Sequence, residues 1–194
     1  MPETMRAIRL AGPVGPNGLT VSQVPIPDVG PGQALIRVMA FGVNESEVTS
    51  RKGQSGPDFS FPRILGIEAV GVVDAVGEGV DLDHGQKVAT MMGGLGRAID
   101  GSYAEYVGAL SGDWTIPDFS PFTIPTGVRL TSYSGEAKDL PAAALAKYLR
   151  AIEADSLDIV VSDTYAGLEK VAEAQHDLES CHRPGKRVVV LAET

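Results

Sequence analysis

The chain has 194 residues, a formal charge of −9, and apolar and charged fractions of 43% and 21%, the balance of a soluble globular protein with an ordinary buried core. The acidic excess excludes a polyanion, so no nucleic-acid partner is expected, and no run of about 18 apolar residues exists to span a membrane. The single cysteine, Cys181, excludes an internal disulfide and a cysteine-rich zinc lobe. Residues 1–6 lead into no apolar signal core, so a cytoplasmic protein is expected.

Glycine (23) and proline (13) are plentiful and dispersed, which suits many short strands and turns. Residues 5–10 alternate weakly, and 19–24 follow the turn cluster of 13–18. Residues 34–40 form a strongly β-prone run after Pro31-Gly32. Residues 67–76 are rich in Val and Ala and are closed by Gly77-Glu78-Gly79. Short strands are also expected at 86–90 and 101–107. Such spacing predicts a sandwich or a partly open barrel. The rest of the chain changes character. A helix is expected to begin at Asp139-Leu140-Pro141 and run through 142–154, with an apolar stripe of Ala142, Leu145, Leu149 and Ile152. An extended stretch at 157–164 precedes a second amphipathic helix over 167–180, carried by Leu168, Val171, Ala172 and Leu178. The turn at 183–186 enters a buried-type strand at 187–191. Two helices and two strands make a poor independent fold, so they are expected to complete the N-terminal barrel.

One series of motifs narrows this further. Val38-Met39-Ala40-Phe41-Gly42-Val43-Asn44-Glu45-Ser46-Glu47, Phe61-Pro62-Arg63-Ile64-Leu65-Gly66-Ile67-Glu68-Ala69-Val70-Gly71 and Asp100-Gly101-Ser102-Tyr103-Ala104-Glu105-Tyr106 succeed one another. Gly127-Val128-Arg129-Leu130-Thr131, Tyr165-Ala166-Gly167-Leu168, Val171-Ala172-Glu173-Ala174-Gln175-His176 and Gly185-Lys186-Arg187-Val188 follow in the same order. The series resembles the medium-chain dehydrogenase/reductase superfamily in its zinc-free, quinone oxidoreductase-like branch. The resemblance implies a mainly β fold with an α/β C-terminal part, a GroES-like, partly open barrel completed by a C-terminal helix-strand segment. It also shows what is missing. A Rossmann domain needs alternating strands and helices and a glycine-rich first turn. Between Asp113 and Gly127 there is room for neither. Three stretches are therefore expected: a GroES-like catalytic barrel at 1–112, a junction at 113–126 where the nucleotide-binding domain is absent, and a segment at 127–194 packing back on the barrel. Gly93-Gly94-Leu95-Gly96 does not replace the lost phosphate loop, since Ile99 stands where a third glycine is needed. Residues 98–104 fit a loose A-x-x-G-x-x-A pattern but precede a strand.

Zinc-dependent relatives carry Cys and His where this chain has Asn44 and Ile67, and an amide and an alkyl chain do not replace a thiolate and an imidazole. No zinc is expected, and His84, His176 and His182 are scattered without ligand spacing. The resemblance makes Asn44 the candidate catalytic residue, beside nicotinamide and substrate carbonyl; the bland alternative is a turn-capping amide. Glu68 is a pocket candidate or a buried structural carboxylate. Thr49 and Arg51 are candidates for the pocket mouth. Lys186 is a candidate contact to a cofactor phosphate, or a solvated lysine at a strand start. The implied function is the substrate-side domain of an NADP(H)-dependent reductase of a quinone, enone or other carbonyl compound. Such a domain is expected to bind no cofactor and to be inactive alone. A non-enzymatic ligand- or partner-binding module is the alternative, with Ile116, Phe119, Phe122 and Ile124 clustered at the junction. A GroES-like assembly subunit rests on fold analogy. The superfamily's dimer forms through the absent domain, so a monomer or a non-family self-association is expected.

Overall fold

A computed structural model of the chain describes residues 3–110, 142–181 and 183–191. The junction at 113–126, its four apolar residues, the helix start at 139–141 and His182 lie outside the described residues.

The central element is β4 (Gln33–Val43), eleven residues buried along most of their length on both faces. That is why its sequence reads as a continuous apolar run rather than an alternation. One edge pairs antiparallel with β6 (Glu68–Val76), with register shifts between Leu35/Ile36 and Val38/Ala40. Such bulges bend and twist a strand locally. β7 (Lys87–Met91) pairs antiparallel beyond β6.

The other edge of β4 is shared between two ends of the sequence. Gln33 to Arg37 pair with β8 (Tyr106–Leu110). Ala40 to Val43 pair antiparallel with β10 (Lys186–Val190). The change of partner falls at Val38 and Met39, where the Val38 amide donates to Glu105 O (2.8 Å) and Met39 O accepts from the Leu191 amide (2.8 Å). β9 (Val161–Ala166) lies parallel to β10 at the sheet edge. The expected return of the C-terminal strands to the barrel is thus a hydrogen-bonded ladder.

Two small antiparallel ladders flank this sheet: β1 (Thr4–Ala7) with β3 (Ser22–Pro25), and β2 (Arg9–Leu10) with β5 (Arg63–Ile64). The ladders do not join into one closed barrel, so the fold is mainly β and partly open. The expected strand at 5–10 is split at Ile8, whose amide donates instead to Tyr103 O (2.9 Å). The strand expected at 101–107 begins only at Tyr106. Before it, the amides of Gly101, Ser102 and Tyr103 donate to Ile64, Gly66 and Leu65 carbonyls (2.8, 3.2 and 2.9 Å). A Cβ at Gly101 would overlap the Leu65 and Gly66 carbonyls, so glycine permits this close crossing.

Three helices are described. α1 (Glu45–Arg51) follows β4, and α2 (Ala142–Glu153) covers most of the first expected helix. Leu149 of the expected apolar stripe is exposed in α2. The second expected helix is a 3-10 turn, Leu168–Lys170, running into α3 (Val171–Ser180). One core joins the two ends of the sequence: Ile8, Leu65, Tyr103 and Ala104 are fully buried together with Val171, Ala174 and Val189.

Candidate functional site

The polar cluster at the C-terminal end of β4 is built outward from a buried acid. Asn44 is the N-cap residue of α1, with extended backbone (φ −125°, ψ 156°), and Glu47 lies three residues on. Glu47 is 1% exposed. Its carboxylate accepts from the Asn44 amide N–H (3.0 Å), Asn44 Nδ2 (3.1 Å), Ser46 Oγ (3.2 Å) and the Ile67 amide N–H (3.1 Å). Burial pushes its pKa up, and hydrogen bonds from the Asn44 side chain, the Ile67 amide and Ser46 oppose that shift without cancelling it.

Asn44 is therefore more than a turn cap. Its amide nitrogen faces the buried Glu47, while its Oδ1 accepts a hydrogen bond from Lys186 Nζ. The same ammonium pairs with Glu68 Oε1 at 2.6 Å. Glu68 is neither fully buried nor a lone structural carboxylate, since its side chain is 30% exposed and that of Lys186 42%. The pair lies directly over Gly42, where a Cβ would overlap both the Glu68 carboxylate and Lys186 Cε. Asn44, Glu68 and Lys186, chosen separately from the sequence, thus form one contiguous group.

Glu68 and Lys186 form the polar end of a cavity of about 220 Å³ on one face of the β7-β6-β4-β10 sheet. Its apolar lining includes Ala40 on β4, Val70 on β6, Ala89 and Met91 on β7 and Val188 on β10, at alternate positions of their strands, with Phe41, Ala69 and Thr90 between them. The two-residue side-chain period places that alternate set on one side. Small side chains at 40, 42 and 89 leave the hollow. An apolar hollow ending in a few convergent polar groups is the usual form of a small-molecule site.

Arg51 and Thr49 lie elsewhere. Arg51 is 1% exposed and turns toward α3. Its Nε donates to Gln175 Oε1 (2.6 Å), Nη1 to Val14 O (2.7 Å) and Nη2 to Glu179. Gln175 Nε2 in turn donates to the Tyr103 hydroxyl (3.1 Å). Lys52 hydrogen-bonds Glu179 and, with Arg51, holds its carboxyl below the ordinary value. Arg51 is thus the pin between α1 and α3 rather than part of the pocket mouth, because its donors are committed inside. Thr49 Oγ1 donates to Glu45 O within α1 (3.0 Å) and does not line the cavity.

A wider cleft of about 760 Å³ lies on another part of the sheet, between Arg6, Arg37, Tyr106 and Glu169. Its size exceeds that of the Lys186 cavity, yet Arg6 is paired with Glu105 and Glu169 across it. The smaller hollow is the better candidate, because its polar groups converge at one end of an apolar lining.

Among the described residues no group of three His, Cys, Asp or Glu is placed to hold a metal ion. Ile67 contributes only its backbone, to Glu47 and Met92. Gly93 to Gly96 turn back on themselves, with the Arg97, Ala98 and Ile99 amides donating to Gly94 O. The glycines serve that loop; they do not open a helix. The first turn of α1 carries Glu45 and Glu47, which repel a phosphate.

Residues 30–117 match the alcohol dehydrogenase GroES-like domain. A quinone oxidoreductase of Lama guanicoe is 36% identical over 114 residues, which is 58% of this chain and 32% of that protein. The starvation-sensing protein RspB of Escherichia coli is 30% identical over 145 residues, 58% of this chain and 42% of that protein. Among solved structures, the quinone oxidoreductase from Coxiella burnetii aligns over 97% of this chain and 100% of its own, with a TM-score of 0.69 and 18% identity. Over residues 30–117 the chain is similar to the GroES-like domain of the medium-chain dehydrogenase/reductase superfamily. Quinone oxidoreductases are among its relatives, as is the 5-exo-hydroxycamphor dehydrogenase of Pseudomonas putida, 40% identical over 80 residues, 41% of this chain and 22% of that protein. In the curated relatives it matches, the shared part spans well under half of the protein.

Sequence reasoning overlooked Glu47, Gln175 and Tyr103. The first had a signal: Asn44 followed three residues later by Glu47 is an N-terminal capping pattern. The other two had none, because Gln175 and Tyr103 meet only after α3 docks.

Proposed function

We propose that this chain is the catalytic, substrate-side domain of a zinc-free, NADP(H)-dependent quinone or enone oxidoreductase-like enzyme. The nucleotide-binding domain is absent between residues 113 and 126, and the chain alone is inactive. The observation that carries this reading is the convergence of Lys186 and Glu68 at the polar end of an apolar cavity, with Asn44 behind them holding Lys186, in a chain akin to quinone oxidoreductases. An apolar wall takes the body of a small carbonyl compound, and the polar end takes its oxygen. Reduced nicotinamide would supply the hydride, and no residue described here offers it a phosphate cradle. The protein's own part is to orient the carbonyl and exclude water. Among the described residues no helix is long and apolar enough to cross a membrane, and we place the protein in the cytoplasm.

The test is direct. Purified chain mixed with NADPH and a quinone is expected to show no NADPH oxidation above the uncatalysed rate, and calorimetry is expected to show no NADPH binding. Protein-dependent oxidation by the chain alone would overturn the proposal.

A further inference from the structure

Resting on the reading of the Gly42 hollow as a substrate site, we infer that the Lys186 ammonium, and not the Asn44 amide, is the group that meets the substrate's carbonyl oxygen. Hydrogen-bond accounting at the site leads there. The Asn44 amide presents its nitrogen to the buried carboxylate of Glu47 and its oxygen to Lys186. The donor end of the amide is thus turned inward and its acceptor end is occupied. Glu47 is held in turn by the amides of Asn44 and Ile67, so the orientation of Asn44 is set from below.

A lysine ammonium has three N–H donors and no acceptor. Among the described residues Lys186 spends one on Asn44 Oδ1 and one on Glu68 Oε1. The third remains for a ligand. Lys186 and Glu68 both line the hollow, so that donor is available where the apolar wall ends. Asn44 acts as a positioning residue, and so does Glu68.

Gly42 is the floor of the arrangement. The pair crosses β4 where there is no Cβ, and any side chain at 42 would displace both flexible ends together. Because Lys186 and Glu68 cancel in charge, the site prefers an uncharged carbonyl compound to a carboxylate, which would compete with Glu68 for the ammonium.

The experiment uses the 194-residue chain and two probes of nearly equal outline, 3,5,5-trimethylcyclohex-2-enone and the hydrocarbon 1,5,5-trimethylcyclohexene. Affinities are read from NMR titrations of the amides and methyls that line the hollow. The enone is expected to bind about tenfold more tightly than the hydrocarbon, the scale of one hydrogen bond from a charged donor. In Lys186→Met and in Gly42→Ala that preference is expected to shrink to about twofold or less, while hydrocarbon affinity is retained as the check that the hollow is still formed. Gly42→Ala keeps every polar group, displaces the pair and adds one methyl to the lining, so with hydrocarbon binding retained it carries the test if Lys186→Met does not fold. Equal binding of both probes by the unaltered chain would overturn the role of Lys186 and leave the hollow as an apolar site. A preference that survives both substitutions would do the same. Failure of both probes to shift the lining residues would overturn the substrate-site reading as well.

Discussion

At the scale of single residues, the strongest constraint is the buried carboxylate of Glu47. Four donors surround it, yet burial still raises its pKa above the ordinary value of 4.5. For a carboxyl raised on folding, the folded state binds the proton more tightly than the unfolded chain. Its favourable contribution is therefore full below the unfolded pKa and is lost as pH rises through the folded one. Wild-type stability is expected to fall relative to Glu47→Gln as pH climbs from about 4.5 through the Glu47 midpoint. Denaturant titrations across that range, with carboxyl NMR to locate the midpoint, check this. A parallel pH dependence of the two proteins would remove Glu47 as the source. The cost is tolerated because the same carboxylate aligns Asn44.

At the scale of elements, Arg51 shows how a plausible pocket residue becomes a packing device. It leaves the last turn of α1 and reaches Gln175 and Glu179 on α3 and the carbonyl of Val14. Truncation would strand Gln175 Oε1 and the Val14 carbonyl and leave Glu179 with Lys52 alone. Arg51→Ala is expected to cost about 3–5 kcal/mol, the usual loss when one member of a buried charged pair is removed. Urea unfolding measures it, and a loss below about 1 kcal/mol would mean that water replaces the guanidinium, as at exposed pairs. Since Gln175 also reaches Tyr103, the effect should extend to the buried 101–105 crossing. The helix periodicity of 167–180 was readable beforehand, as was its apolar face through Leu168, Val171, Ala172 and Leu178, of which the first two are buried and the others partly so. The partner of that face was not.

At the scale of the whole molecule, the two ends of the sequence share one edge of β4. β8 covers its first half and β10 its second, so neither end alone completes the ladder. A chain ending at residue 154 would leave the backbone of Ala40 to Val43 unpaired along that edge. It would also strip Val171, Ala174 and Val189 from the core. Such a chain is expected to lose cooperative thermal unfolding and to aggregate through the open edge. Circular dichroism and light scattering on the truncated protein decide this; a monomeric, cooperatively melting product would show that β10 is dispensable.

Much of this was legible in the sequence. β-prone runs bounded by glycine and proline placed most strands, because local patterning carries that information. Motif order brought Asn44, Glu68 and Lys186 forward one by one, and the capping spacing of Asn44 and Glu47 was present to be read. Tertiary structure alone decided how they meet. Lys186 reaches Asn44 across 142 positions of sequence, and only the antiparallel pairing of β10 with β4 brings it there. That pairing also made Gly42 the bed of an ion pair, while the docking of α3 turned Arg51 inward. Periodicity and propensity act over a few residues, whereas donors and acceptors so far apart are matched only by the packing of the finished core.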